Sequence, residues 1–388
     1  MNADPSTEAR THRAAQGWWL AVIAGERCGL AAAVARFLLA ILSAAYRAGL
    51  AASNLLRRLR PPCRAPVPVV SVGNLTVGGT GKTPMVAFLA HLAEELGGQP
   101  LIVSRGYAAR HGEPNEEARE LARLSPAVPH VTGRDRRRAI RNWLVHHPAS
   151  LAILDDGFQH RRLARDLDIV LVDALRPFGY GRLLPRGLLR EPLSALRRAD
   201  LLVITRTELA DPSDLARLKQ TLAGLVRPAT PILLAEHHPA AIVLADGSRQ
   251  TPDRLRGREV AAACGIGHPE AFRRTLDRLG ARVRRFDIFA DHHAYTRADL
   301  DRLLRAAAAD GLKMLVTTGK DFVKWIPLLG EPGTAARQGE SATPVEVAAL
   351  DVEFRVVEGE PILRRRIGEL VTGPPRGEAA GKPTSGDP

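Results

Sequence analysis

Apolar positions along the chain recur as short, nearly unbroken runs, each followed by a polar or glycine-rich turn and then by a stretch of helical period. The runs are Pro68 to Val72, Pro100 to Ser104, Leu151 to Leu154, Asp168 to Asp173 and Leu201 to Thr205. Runs of this length bounded by turn residues read as strands buried on both faces, and strands alternating with helices predict a parallel sheet. Such a sheet carries its site at the carboxyl ends of the strands, where Gly73, Ser104, Asp155 and Asp173 fall. A second set begins near residue 230: PILLAEH, EVAAACGIG, a helix from about Pro269 to Leu279, RVRRFDIF, a helix from about Thr296 to Ala309, and KMLVTT. The expected partition is a tail and helix over 1–60, a first α/β domain over 61–228, a second, smaller α/β domain over 229–370 and a disordered Gly-, Pro- and Ser-rich tail over 371–388.

The pattern changes between Trp18 and Leu59, where Ala, Leu, Ile, Phe and Val dominate. Arg36, Arg47 and Arg58 are spaced eleven apart, close to three helical turns, and Ser43 and Asn54 each stand one turn before an arginine of that line. This is an amphipathic helix with a narrow cationic stripe, suited to the interface of an anionic membrane; the alternative is a helix packed on the protein's own core. Glu26-Arg27 interrupts the first apolar run, which argues against a signal peptide, and no run approaches about 20 residues without a charge, which argues against a span.

Chemistry enters at Val67 to Pro84, VPVVSVGNLTVGGTGKTP, a strand, a glycine-rich turn and the start of a helix. Glycines allow positive φ and close approach of backbone N–H groups to a phosphate, the helix adds its positive end, and Lys82 adds a point charge. Thr83 would place a hydroxyl on Mg²⁺. The usual P-loop pattern has glycine where this chain has Thr76. The strand Leu151 to Leu154 ends in Asp155-Asp156, the Walker B arrangement that sets a carboxylate beside Mg²⁺ and the triphosphate.

Composition narrows the partners. Among 388 residues, 55 Lys and Arg against 42 Asp and Glu give a net charge of +13, so anionic partners are expected. Aromatic residues are 4% of the chain and no basic stretch is interleaved with them, which argues against nucleic acid. Cys28, Cys63 and Cys264 are far apart with no CxxC, so neither a disulfide framework nor a zinc site is indicated. Asp291-His292-His293 shows no third ligand, so one histidine serving an interdomain site is preferred to a metal centre. The basic run GRDRRRAIR reads mostly as the solvated face of a helix.

SVGNLTVGGTGKTP, SRGY, LDDGFQHRRLARDLDIVLVD, FGYGRLLPRGLLREPL, GIGHPEAF, FADHHAY and VTTGKDFVK follow one another in that order. With them the sequence resembles the tetraacyldisaccharide 4'-kinases, from the N-terminal helix to about residue 365; the altered P-loop is part of that family's look. The resemblance implies a membrane-associated P-loop kinase that transfers the γ-phosphoryl group of ATP, with Mg²⁺, to the 4'-hydroxyl of an acylated glucosamine disaccharide 1-phosphate in lipid A biosynthesis. It implies work at the cytoplasmic face of the inner membrane of a Gram-negative-type bacterium; the sequence leaves the oligomeric state open, with a monomer plausible.

It further implies that Thr76, Val77, Gly78, Gly79, Thr80, Gly81, Lys82 and Thr83 bind the nucleotide and that Thr83 with Asp155 or Asp156 holds Mg²⁺. Arg190, with Glu191 nearby, would stabilise transferred charge, and Gln159 and His160 sit just beyond the Walker B strand. In the family a carboxylate after SRGY, usually Asp, pairs with a histidine of the DHH-like motif to take the hydroxyl proton. The matching pair here is Glu116 with His292, and Glu117 and His293 stand in reserve. Ala108, His268 and Gly319 are further departures from the family pattern. The competing reading is a membrane-associated nucleotide switch without a lipid acceptor. Val77 replaces the signature lysine of the partitioning ATPases, however, and Arg206 and Glu208 replace the lysine and aspartate of the GTPase motif NKxD.

Overall fold

The computed structural model describes residues 18–59, 62–106, 116–291, 293–329 and 345–373; the side chains of residues 57, 58, 116 and 117 lie outside that description. The loose end expected over 1–17, Ala108, His292 and residues 374–388 of the tail expected over 371–388 also fall outside it, while Val371 and Thr372 of that tail close the helix Glu360–Thr372.

Twelve strands form one sheet. In chain order they are β1 Val69–Asn74, β2 Pro100–Ser104, β3 His130–Thr132, β4 Leu151–Leu154, β5 Leu167–Asp173 and β6 Leu201–Thr205. There follow β7 Ile232–Leu244, β8 Arg249–Gln250, β9 Glu259–Cys264, β10 Arg282–Ile288, β11 Met314–Thr318 and β12 Glu346–Glu358. The spatial order is β10-β9-β11-β12-β7-β6-β5-β1-β4-β2-β3, with β8 beside β7. Every pairing is parallel except β7 with β12 and β7 with β8. β1, β4, β5 and β6 are buried at every position, as expected of parallel strands covered by helices on both faces.

The sequence boundary at 228/229 falls just ahead of β7, which belongs to both halves of the sheet. Its first residues pair with β6, Leu202 opposite Ile232 and Ile204 opposite Leu234, and from Leu234 to Leu244 it runs antiparallel to β12. The β7–β12 register shifts between Asp351 and Val352, beside Pro239, which has no N–H to give the ladder.

The helix Lys82–Glu95 follows β1 and buries Met85, Val86, Leu89, Ala90 and Leu92 against the sheet. The N-terminal helix, Leu30–Arg58, is different. It is long and apolar enough to cross a membrane by length and composition alone. Its apolar face, including Leu30, Phe37, Leu38, Ile41, Leu42 and Leu56, is exposed. What meets the body is the polar line: Ser43 Oγ donates to the Leu183 carbonyl at 3.0 Å, Tyr46 Oη to the Arg190 carbonyl at 2.9 Å, and Arg161 Nη1 to Asn54 Oδ1 at 2.7 Å. The alternative of an apolar face packed on the protein's own core is therefore not what the fold adopts.

Candidate nucleotide and phosphoryl-transfer site

β1 runs up the middle of the sheet between β4 and β5, so the loop that follows it opens at the carboxyl edge beside Asp155 and Asp173. That loop is pinned from outside. Val77 N donates to the Leu188 carbonyl at 2.8 Å and Arg190 N to the Leu75 carbonyl at 2.7 Å. Thr205 Oγ1 donates to the Thr80 carbonyl at 3.0 Å, and Arg206 Nη2 to the Gly79 carbonyl at 2.8 Å. With those carbonyls engaged, the loop amides are the groups a phosphate can meet. Gly78 and Gly81 have φ of 118° and 87°, and a Cβ at Gly81 would stand 2.9 Å from His237 Nε2. Thr76 is buried, bridges to Leu189 and is not among the residues of positive φ, so that position needs no glycine.

Lys82 opens the helix with its ammonium 3.4 Å from Asn74 Oδ1 and 3.6 Å from Asp156 Oδ1. Asp156 takes a left-handed φ of 51°, and its carboxylate meets Arg190, whose Nη1 donates to both oxygens at 3.0 and 2.9 Å. Burial would raise the Asp156 pKa, but Lys82, Arg190 and Arg136 together carry it below the usual carboxylate range. Asp155 is buried at the end of β4. The two acids thus part company, one at the strand end and the other clamped between two cations.

The turn itself is held by Arg136, whose guanidinium donates to the Asp155 carbonyl at 2.7 Å and to the Asp156 carbonyl at 3.1 Å. Arg136 belongs to the basic run read as a solvated face, yet it is 3% exposed. The available signal was its place directly after the helix cap Asp135, which fixes it at the first helical turn beside the sheet edge. Gln159 Nε2 donates to the Asn74 carbonyl at 2.9 Å, so it supports the loop. Burial, with Arg136 and Arg165, pushes the His160 pKa down to about 4. Glu191 is held by a two-pronged pair with Arg198 at 2.9 and 3.1 Å.

The far wall comes from β9–β12 and their connections and encloses a cleft of about 490 Å³ over Lys82, Thr83 and Arg190. A Cβ at Gly267 would lie 3.0 Å from Gly79 N, so the loop after β9 packs directly on the glycine turn. His268 is buried with Nε2 3.5 Å from Asp173, and burial pushes its pKa down to about 4. Lys320 and Asp291, paired at 3.2 Å, line the same cleft. The departure at Gly319 has a spatial counterpart: a Cβ there would stand 3.1 Å from Arg123 Nη2 and 3.4 Å from Asp351 Oδ1, two groups that pair at 2.9 Å.

The base candidates are resolved unequally. Glu116 opens the helix Glu116–Leu124, while its side chain, that of Glu117, and His292 lie outside the described residues. His293 is described: it bonds Asp299 at 3.2 Å and stacks on Phe289 at 4.8 Å. That is the setting of a packed histidine.

Glu208 also lines the cleft, and burial raises its carboxyl to about 7. A carboxyl whose folded value lies above its unfolded one costs stability progressively as pH rises from about 4.5 towards 7, and the full cost remains above that. Glu208→Gln is therefore expected to raise the thermal midpoint more at pH 8 than at pH 5, by on the order of 2 °C. Melting curves at both values check it, and an equal shift at the two would refute the assignment.

The family model described as tetraacyldisaccharide-1-P 4'-kinase matches residues 35–370. The chain belongs to this family. The tetraacyldisaccharide 4'-kinase of Syntrophus aciditrophicus is 41% identical over 321 residues, covering 75% of this chain and 84% of that one. That of Anaeromyxobacter dehalogenans strain 2CP-C is 40% identical over 353 residues, covering 86% and 90%. Among solved structures, the "apo" form LpxK from Aquifex aeolicus in complex with ATP superposes with a TM-score of 0.63 at 30% identity, over 87% of this chain and 99% of that one. The family match begins inside the helix Leu30–Arg58 and ends inside the helix Glu360–Thr372, so it takes in both halves of the sheet.

Proposed function

We infer that this chain is an ATP-dependent kinase that transfers the γ-phosphoryl group to the 4'-hydroxyl of a tetraacyldisaccharide 1-phosphate in lipid A biosynthesis. The observation that carries the reading is Lys82 beneath the glycine turn, facing the Asp156–Arg190 clamp, in a chain matched by this family over most of its length.

Phosphoryl transfer asks for charge neutralisation and alignment rather than covalent chemistry. Lys82 meets the β- and γ-phosphates, and the amides of Gly78 to Gly81 surround them. Asp156 neutralises Lys82 and Arg190, so an arriving triphosphate takes over as counter-charge and frees Arg190 for the transferring group. The Thr83 hydroxyl and the carboxylate of Asp155 or Asp156 are oxygen donors of the kind that fits Mg²⁺. Bound there, the ion would neutralise charge on the phosphate oxygens. Glu116, with His292, takes the proton of the acceptor hydroxyl. The exposed apolar face of the N-terminal helix lies in the inner membrane surface on its cytoplasmic side and brings the cleft to an acceptor that stays in the bilayer.

A nucleotide switch is disfavoured by what its marker positions do. Arg206, where a GTPase has its base-reading lysine, is committed to Asp173 and the Gly79 carbonyl. The test is incubation of the full chain with labelled ATP, Mg²⁺ and tetraacyldisaccharide 1-phosphate. Labelled lipid is the expected product, and ATP hydrolysis without it would overturn the kinase reading.

A further inference from the structure

Glu116 and His292, the pair assigned to the acceptor proton, belong to opposite halves of the sheet. Residue 116 opens the helix Glu116–Leu124 between β2 and β3, whereas residue 292 follows β10. Leu121 packs that helix on the core of the first half. A helix of nine residues does not hold itself in place, and its other side needs an attachment of its own.

Arg123 supplies it. Its Nη1 donates to Asp351 Oδ1 at 2.9 Å, across to β12 in the second half. Three features of that half receive the contact. The β7–β12 register shifts between Asp351 and Val352, and a bulge of this kind re-aims the side chain beside it. A Cβ at Gly319 would stand 3.1 Å from Arg123 Nη2 and 3.5 Å from Cζ, so the guanidinium lies against bare backbone where β11 ends. Arg249 Nη2 takes the other carboxylate oxygen, Asp351 Oδ2, at 3.0 Å. Asp351 therefore has a counter-charge without Arg123, and what Arg123 adds is the position of its own helix.

The same contact leads to the histidine. Lys320 follows Gly319 and pairs with Asp291 at 3.2 Å, and Asp291 directly precedes His292 in the chain. Arg123 stands seven residues after Glu116, two turns or roughly 10 Å along the helix, and so on the same face. One member of the proton-taking pair is thus joined to the other through packed, bonded and ionic neighbours, and Arg123–Asp351 is where that line crosses between the halves.

We propose that Arg123, through its pair with Asp351, is a positioning residue for the base: it fixes the helix of Glu116 against the half of the sheet that carries His292. The proposal rests on the kinase reading with Glu116 as base.

The experiment measures single-turnover transfer at saturating ATP and tetraacyldisaccharide 1-phosphate in wild type, Arg123→Gln, Arg249→Gln, Glu116→Gln and Glu116→Gln/Arg123→Gln. Arg123→Gln is expected to slow transfer by about 10- to 100-fold, the cost of misplacing a reacting group by about 1 Å. Both KM values should stay within about twofold and the thermal midpoint within a few degrees, since the lost pair is partly exposed. Arg123→Lys, which keeps a cation but not the fork, should recover part of the rate. Arg249→Gln should transfer at the wild-type rate, because it removes a cation from the same carboxylate without releasing the helix. In the Glu116→Gln chain no base is left to place, so adding Arg123→Gln should change the residual rate by less than about twofold.

Equal losses in Arg123→Gln and Arg249→Gln would make the pair a structural staple. A raised KM for ATP or acceptor at unchanged rate would make Arg123 a binding residue, and the same fold-loss with and without Glu116 would detach it from the base. Each of these overturns the positioning role and leaves the kinase reading standing. A wild-type chain that hydrolyses ATP without labelling the lipid overturns the kinase reading itself.

Discussion

Lys82→Met lowers kcat by about 10²–10³-fold, the usual cost of removing one preorganised charge from a transferring group, and leaves the thermal midpoint close to that of wild type. The two halves of this expectation have different origins. In the proposed reaction the ammonium is the point charge that meets the β- and γ-phosphates, and a thioether of similar length fills its space without its charge. Structurally, Lys82 is one of two cations on Asp156, and the other, Arg190, grips both carboxylate oxygens at 2.9 and 3.0 Å. Asp156 therefore keeps its counter-charge when Lys82 is lost. Lys82→Arg does not restore the rate, because a planar fork cannot occupy the ammonium's position between Asn74 Oδ1 and Asp156. Single-turnover transfer beside a melting curve reads both halves. A loss of midpoint in step with the loss of rate would make Lys82 a structural residue first.

The sheet was legible because its strands declare themselves. β1, β4, β5 and β6 are continuous apolar runs closed by glycine, acid or threonine, and burial on both faces leaves no other use for such runs. The glycine turn and the Asp155-Asp156 end of β4 were legible for the same reason, since local sequence carries both. Arg136 and the seam between the two halves were not. Arg136 sits in a run of arginines whose composition says solvated surface, and only the packing of its helix against the sheet edge buries that one. β7 reads as the first strand of a new unit, and nothing local tells that the chain returns 102 residues later, at β12, to pair antiparallel with it from Leu234 to Leu244. Ser43, Tyr46 and Asn54 mislead in a related way. Polar residues on an apolar helix suggest the solvent side, but here they are the side that hydrogen-bonds the protein, because the apolar face is reserved for something other than the protein's own core.

Glu116→Gln abolishes most of the transfer while sparing nucleotide binding, with kcat down by about 10²–10⁴-fold, the range for a positioned general base, and the KM for ATP unchanged. Glutamine keeps the shape and polarity of the side chain but cannot accept the hydroxyl proton. Helix geometry puts the position in the right neighbourhood: residue 116 stands one turn before Glu120 and two before Arg123, both of which line the cleft. The residue type is the unusual part, because the family pattern has the shorter aspartate. A base misplaced by a fraction of an ångström loses rate steeply. Glu116→Asp is therefore informative in its own right: it retains more activity than Glu116→Gln, and how much more reports how far the cleft has adapted to the longer side chain. The reserve histidine supplies the contrast. His293 is tied to Asp299 and packed against Phe289 and Tyr295, so His293→Gln lowers stability before it lowers kcat. Wild-type rates in Glu116→Gln, or a loss in His293→Gln as deep as that in Glu116→Gln at full thermal stability, would move the base away from Glu116.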